Sequence, residues 1–178
     1  MTNNELMIAV RAGILNRLAA YGKNYAVEQN YQPHQIGTNR DPTIYIHHIG
    51  DTPAGWPVRR EYWDEENSQQ VREETQLMLT RVQVAATVDA DITNPNALTV
   101  IDVMRIARWC VQSVEFREEV KSGGLSMMRV TEMPSVDVLS DSPGYEKRPT
   151  FDIIFQHTDT IRAIVPGVSK IEIRRISV

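Results

Sequence analysis

The fold of this 178-residue chain is decided by the stretch from Pro42 to Val88. The stretch begins PTIYIHHIG (42–50), passes through GWP (55–57) and an acid-rich segment, and ends QVREETQLMLTRVQVAATV (70–88). Apolar residues recur at two-residue spacing in both outer parts, which is the pattern of β-strands. The stretch contains no nucleophile motif, metal-ligand spacing or phosphate-binding loop. It therefore indicates a β scaffold that acts by assembly rather than by catalysis.

The first strand of this scaffold is predicted from Thr43 to Ile49 and the second from about Val71 to Val88. At about 3.3 Å per residue, the second strand would project past an ordinary sheet, so it either bends or pairs with something outside. Pro53, Gly55 and Pro57 predict a long loop between the two strands. Two further loops are predicted elsewhere in the chain. The three long loops are expected near 22–41, 51–70 and 132–149.

The first of two predicted helices runs from about Asn4 to Tyr21 and is capped by Thr2 or Asn3. It has apolar residues on two sides, one of them formed by Met7, Val10, Ile14, Leu18 and Tyr21, and the other by Ile8, Ala12, Leu15 and Ala19. Such a helix either lies deep in a core or packs between its own core and a neighbouring subunit.

The second predicted helix starts at a capping-box pattern, Thr99-x-x-Asp102, and ends at Gly123-Gly124. Beyond it the chain is predicted to be β, with strands at 125–131 and 151–165, a Pro166-Gly167 turn and a return strand at 170–178. The predicted fold is a single domain over residues 1–178. Its class is α+β: a mainly antiparallel sheet with a long strand and a C-terminal hairpin, packed by two helices.

The composition is that of an ordinary globular protein, with 42% hydrophobic and 24% charged residues. The single cysteine, Cys110, excludes an internal disulfide framework and fits the reducing cytoplasm. We expect no signal peptide and no membrane span. The net charge of −4 does not suit a protein that grips nucleic acid through phosphates, but it suits a channel through which DNA slides.

Catalytic and metal chemistry find no support in the sequence. His47 and His48 are neighbours on a strand, so their side chains point to opposite faces and cannot hold one metal together. Asp89, Asp91 and Asp102 lack the spacing of a calcium loop and are expected to cap a turn and a helix. We therefore expect no enzyme activity, no bound metal and no cofactor.

Large aromatic residues framed by charges are the candidate contact residues for other proteins. Trp56, Tyr62 and Trp63 lie in one polar segment beside several acids. Trp56 has an alternative role as a lid folded back on the domain's own core. Ile106 and Trp109 lie on the flank of the second helix, where they meet either a neighbouring subunit or the edge of the sheet.

The order of these elements resembles the neck and tail-terminator proteins of tailed bacteriophages, also called gateway or head–tail joining proteins. In that family a short N-terminal helix leads to an apolar strand that starts at a proline, here Pro42. A loop with a Gly-Trp pair follows, here Gly55-Trp56, and then a long strand, a helix and a C-terminal β-hairpin. The resemblance covers most of the chain.

The resemblance implies a structural protein of the virion neck that is made in the cytoplasm of a host bacterium. Such subunits form a homo-oligomeric ring between the head-completion (connector) proteins and the tail tube. The ring ends tube growth and leaves a channel that the genome crosses without sequence-specific binding. Six subunits are the number that the resemblance favours, and twelve is the other number to consider.

Two other interpretations of the sequence stay open. The chain could be a different ring protein of the connector, such as an adaptor between portal and tail. It could also be a small cytoplasmic enzyme or a ligand-binding α+β domain whose site is assembled from loops. Solution mass separates the last interpretation from the first two, because rings are much larger than a single domain.

Overall fold

The computed structural model describes residues 1–29, 42–88, 94, 96–139 and 145–165. These residues form three helices and six strands. In chain order the elements are α1 (Asn3–Ala20), β1 (Ala26–Gln29), β2 (Thr43–Asp64), β3 (Gln69–Thr87), α2 (Val100–Gln112), α3 (Val114–Ser122), β4 (Ser126–Val130), β5 (Ser135–Leu139) and β6 (Tyr145–Val165). The predicted class, α+β with a mainly antiparallel sheet, is confirmed.

Three long antiparallel strands, β2, β3 and β6, are the main part of the sheet. The strand order is β1-β2-β3-β6-β4, with β1 parallel to β2 and with β5 paired to the first residues of β6. The long predicted strand at 71–88 is confirmed as β3. It pairs with β2 on one side and with β6 on the other over nearly its whole length, so its partners lie within its own chain.

The helices cover one face of the sheet at one end only. Alternate residues of β3 from Thr80 to Ala86 are buried, as are the residues of β6 that lie beside them in the same rows. Helix α1 starts at a capping box, in which the Thr2 hydroxyl accepts from the backbone N–H of Glu5. The fully buried side chains include Leu6, Met7, Ile14, Leu18, Ile44, Ile46, Met104, Phe116, Leu125, Phe151, Ile153 and Phe155. The core therefore lies between α1, α2, α3 and this end of the sheet.

The apolar strips of α1 have different environments. Met7, Val10, Ile14 and Leu18 are buried, as predicted, whereas Tyr21 caps the helix C-terminus and is exposed. On the other strip Ile8, Ala12 and Ala19 are exposed, and Leu15 packs partly against the core. The second strip is therefore largely free at the surface.

The prediction of a long loop at 51–70 is wrong. Strand β2 continues through this region to Asp64, and a four-residue turn at 65–68 joins it to β3. Residues 55–57, the Gly-Trp-Pro segment, have no ladder partners on β3, and the pairing register shifts between Ala54 and Val58. Prolines are tolerated here because, in the described part of the sheet, β1 covers only the start of β2, which leaves Pro53 and Pro57 on an edge strand.

The prediction of one helix from Thr99 to Gly123 is also wrong, because the helix breaks at Ser113. The capping box at Thr99 and the end at Gly123 are as predicted. Ser113 adopts an extended conformation, with φ −65° and ψ 152°, and its hydroxyl accepts from the backbone N–H of Phe116 at 3.2 Å. The apolar spacing runs on across this break, and for that reason the sequence pattern did not reveal it. Three helices, not two, therefore pack on the sheet.

The other two predicted loops are only partly irregular. Strand β1 lies within the predicted loop at 22–41, whose remaining residues 30–41 lie outside the described ones. Strand β5 and the start of β6 form a ladder within the predicted loop at 132–149. The predicted turn at Pro166-Gly167 and the return strand at 170–178 also lie outside the described residues, and so does the C-terminal hairpin that they would complete.

Candidate assembly surfaces

Beyond the helices, the three long strands continue as an extension that we call the arm, formed by residues 54–64 of β2, 69–77 of β3 and 158–165 of β6. The central strand of the arm is half-buried from Arg72 to Leu77, because among the described residues it is covered only by the neighbouring strands and their side chains. At about 3.3 Å per residue the arm is about 30 Å long. The arm therefore presents both faces of a sheet to the surroundings.

Ion pairs across the strands fix the register of the arm. Arg59 contacts Glu74 at 2.9 Å, and Arg72 contacts Glu61 at 2.7 Å, both between β2 and β3. A third pair, Arg162 with Glu73 at 2.7 Å, lies between β3 and β6. Exposed pairs add little free energy, but a shift of one residue would move every one of these side chains to the opposite face. The pairs therefore specify how the arm aligns.

The irregularity in β2 carries the most exposed tryptophan. Gly55 has a φ of +78°, a conformation that favours glycine, and the next residue, Trp56, is 92% exposed. Trp56 is therefore not a lid on the domain's own core. Bulges and prolines on an edge strand also hinder uncontrolled pairing with other chains. This edge is thus suited to side-chain contacts rather than to the addition of another strand.

The tip of the arm is a tight acidic turn. The Asp64 carboxylate accepts hydrogen bonds from the side-chain amide of Asn67 at 2.8 Å and from the backbone N–H groups of Glu66 and Asn67. These bonds, led by that from the Asn67 side chain, hold the pKa of Asp64 below its ordinary value. Glu65 and Glu66 are exposed. The tip is therefore an ordered turn that presents negative charge.

Both faces of the arm near its tip leave apolar surface free, and only one of them carries an exposed tryptophan. On one face Trp63 is 59% exposed and Ile161 is 73% exposed. On the other face Tyr62, Val71 and Ile164 stand in one row across the three strands. Val71 is buried between its neighbours, but Ile164 is 68% exposed. Each face therefore leaves at least one large apolar side chain without cover from the described residues.

A second exposed aromatic site lies on α2, away from the arm. Trp109 is 69% exposed, whereas Ile106 is half-buried and packs against the core. Arg105 lies four residues before Trp109 and three residues before Arg108, so it neighbours both side chains on the surface of the helix. The buried Nε of Arg108 has no hydrogen-bond partner among the described residues. Trp109 is thus part of a basic surface, while Ile106 belongs to the fold.

A polar network lies where the arm leaves the core. The Thr80 hydroxyl donates to Asp51 Oδ1 at 2.5 Å and lies 2.8 Å from His157 Nε2. His157 Nδ1 in turn lies 3.1 Å from Asp159 Oδ1, and His48 Nε2 lies 3.1 Å from Asp51. Burial of Asp51 opposes its ionisation, but the hydrogen bonds from Thr80 and His48 outweigh this effect and lower its pKa.

The order hydroxyl, imidazole, carboxylate in this network is also that of nucleophilic triads. Thr80, however, is 1% exposed, so no substrate could reach its hydroxyl. The Thr80 proton points to Asp51, so the imidazole nitrogen beside Thr80 is placed to donate a proton, not to remove one. The network therefore stabilises the base of the arm.

Other chemistry is equally unsupported in the part of the chain that the structure describes. Burial raises the pKa of the Cys110 thiol to about 11, which keeps it protonated and unreactive. The searched residues contain no group of three His, Cys, Asp or Glu side chains placed to hold a metal ion. Among them, no helix has the length and apolar character that crossing a membrane requires.

Comparison with solved structures finds the same fold in a terminator protein. The match is the sheath/tube terminator of an extracellular contractile injection system, PVC, in its extended state, with a TM-score of 0.54 and 13% sequence identity. The match covers all of this chain and 65% of the terminator chain. At this identity the likeness concerns the fold alone.

The family assignment comes from the sequence itself. Residues 5–167 match the family model described as E217 gateway protein gp29. Comparison with curated protein sequences finds no match. Because the family model spans most of the chain, this protein belongs to the gateway protein family, and the family resemblance predicted from the element order is confirmed.

The structure separates the five candidate contact residues into two groups. Trp56, Tyr62 and Trp63 all lie on the arm, whereas Ile106 and Trp109 lie on α2. The sequence interpretation missed Ile161 and the basic pair Arg105 and Arg108. Ile161 lies on the same face of β6 as the buried Ile153 and Phe155, so the two-residue spacing alone gives no sign that it is exposed. Nothing in the local sequence distinguishes the two arginines from other charged residues on the solvent side of a helix.

Proposed function

We propose that this chain is a structural subunit of a phage neck, and that it forms a ring at the end of the tail tube. In this proposal the ring lies between the head-completion proteins and the tube, ends tube growth and leaves a channel for the genome. The observation that carries the proposal is the match to the gateway family over residues 5–167. The shared fold with a sheath/tube terminator supports it.

The arm supplies the physical reason for assembly. A sheet extension of about 30 Å with free faces and exposed tryptophans is costly for an isolated monomer, since the apolar surface there stays in water. Ring closure requires one patch of a subunit to bind a different patch on the next, and a long arm reaches a neighbour readily. Family resemblance favours six subunits, with twelve as the other number to consider.

The charge balance fits a channel for DNA. The net charge of −4 gives no basic surplus to hold phosphates, so DNA can pass without binding. In this proposal the subunit is made in the cytoplasm of the host bacterium, resides in the virion neck and acts without catalysis. Its partners are further copies of itself, the tail tube and the head-completion proteins.

The proposal is tested by growing tail tubes in vitro from the tube protein of the same phage, with and without this chain. The expected result is that added chain stops growth and that electron micrographs show extra density at one end of each tube. Tubes that grow to the same length with bare ends would refute the terminator role. Binding to purified portal complexes and not to tubes would instead favour the adaptor interpretation.

A further inference from the structure

We infer that the acidic tip of the arm on one subunit docks on the basic surface of α2 on the next subunit. The tip is defined as Trp63 to Glu66, and the basic surface as Arg105, Arg108 and Trp109. This inference rests on the proposed ring and names the contact that closes it. The partner that occupies the basic surface of α2 is therefore a second copy of this chain.

The two surfaces have complementary charge and similar aromatic content. The tip carries Asp64, Glu65 and Glu66 beside the exposed Trp63. On α2 the exposed Trp109 is flanked by two arginines. Tryptophan and arginine are the residues most enriched at the energetic centres of interfaces, and opposite charges around them orient the partners. The negative charge of the tip thus complements the positive charge of the α2 surface, and each surface has a tryptophan to bury.

The charges at both surfaces lack strong partners within the subunit. Among the described residues, Glu65, Glu66, Arg105 and Arg108 form no salt bridge. Arg105 lies near Asp102, one turn earlier on the same helix, where its charge adds to the hydrogen bonds from Thr99 in lowering the pKa of Asp102. The buried Nε of Arg108 has no acceptor among these residues either. By contrast, the charges further down the arm are used internally, as in the pair of Arg59 with Glu74. Within the part of the chain that the structure describes, the tip and the basic surface therefore leave their charges open to a partner.

The geometry makes the contact intermolecular. Helix α2 packs on the end of the sheet that contains Thr80 to Ala86, whereas the tip is at the far end of β3, about 30 Å away. A subunit therefore cannot neutralise its own tip with its own α2. Because the two patches differ, each copy uses its tip for one neighbour and its α2 surface for the other, which is the arrangement that a closed ring requires.

The test uses two charge-reversed forms of the full chain. The tip variant carries Glu65→Lys and Glu66→Lys, and the helix variant carries Arg105→Glu and Arg108→Glu. Each alone should raise the dissociation constant between subunits at least about tenfold, equivalent to about 1.4 kcal/mol. Molar mass is measured by light scattering across a concentration series, alone and with tail tubes added, and circular dichroism checks the fold.

Mixing the two variants supplies the decisive comparison. In a mixture every contact can pair a lysine tip with a glutamate surface or a native tip with a native surface, so assembly should return. Glu28→Lys with Glu132→Lys changes the net charge by the same amount as the tip variant, at exposed sites elsewhere, and should assemble as the native chain does. If the helix variant fails to fold because Arg108 is half-buried, Arg105→Glu alone replaces it.

The outcomes separate this inference from the proposed function. Native assembly together with undiminished assembly of both variants would overturn the tip-to-α2 contact and leave the ring intact. Loss of assembly in both variants without recovery in the mixture would also overturn it, because the surfaces would then meet some other partner. A native chain that neither assembles nor stops tube growth would refute the proposed function itself.

Discussion

Replacing Gly13 by alanine should destabilise the protein, although alanine is the better helix former. Gly13 lies inside α1, where a glycine costs about 1 kcal/mol relative to alanine. A Cβ at this position would lie 2.9 Å from two ring carbons of Phe116 on α3. Phe116 is fully buried and cannot turn away into solvent. The close approach of α1 and α3 therefore explains the glycine.

The expected magnitude follows from two opposing contributions. Overpacking of a dense core costs about 1–3 kcal/mol, and the gain in helix propensity returns about 1 kcal/mol. The net loss in the free energy of unfolding should be up to about 2 kcal/mol. For a chain of this size each kcal/mol lost lowers Tm by about 2–4 °C.

Urea and thermal unfolding of Gly13→Ala, Phe116→Leu and the double variant measure this effect. Because leucine leaves room for the new methyl group, the double variant should lose at least about 0.5 kcal/mol less than the sum of the two single losses. Ala12→Gly, at an exposed position of the same helix, controls for propensity alone. A Gly13→Ala variant that is more stable than the native chain would refute the close packing of α1 on α3.

Three further predictions concern the helix cap, the network and the arm. Thr99→Ala should lower the free energy of unfolding in urea by about 1 kcal/mol, because it removes the capping hydroxyl of α2; no change would mean that the cap contributes nothing. Because the pKa of Asp51 is lowered by folding, its stabilisation is complete at neutral pH and is lost as the pH falls below about 4. Unfolding measured from pH 6 to pH 2 should therefore lose stability less steeply in Asp51→Asn, and equal slopes would contradict the network. Trp63→Ala should weaken assembly in light scattering and leave the Tm of the monomer nearly unchanged; a large fall in Tm with normal assembly would place Trp63 in the core.

The sequence predicted those elements whose apolar spacing matches their burial. Residues 80–86 of β3 alternate between buried and less buried positions, and the predicted strand was correct. The capping box at Thr99 likewise marked the start of α2 correctly. Both signals are local, so neighbouring residues alone determine them.

The errors arose where tertiary context overrides local preference. Pro53, Gly55 and Pro57 are loop-forming residues, yet they lie in a strand because the edge of β2 needs no ladder bonds there. Ser113 breaks a helix whose apolar spacing continues past it, since its hydroxyl caps α3. The local sequence contains no information on which strand becomes an edge or how far the helices extend.

The exposure of the candidate contact residues could be predicted only in part, for the same reason. Residue type singled out Trp56, Trp63 and Trp109 as candidates, because large aromatics in a charged setting are typical of interfaces, and all three are exposed. Ile106 has the same apolar character but packs against the core. Only the extent of the helix layer distinguishes a buried isoleucine on α2 from the exposed Ile161 on the arm.

Assembly is best tested by the molar mass of the native chain, measured by light scattering with and without short tail tubes. We predict complexes several times the 20.3 kDa of one chain, formed alone or at tube ends, that dissociate when the tip of the arm is charge-reversed. A mass of one chain at every concentration, unchanged when tubes are added, would contradict it.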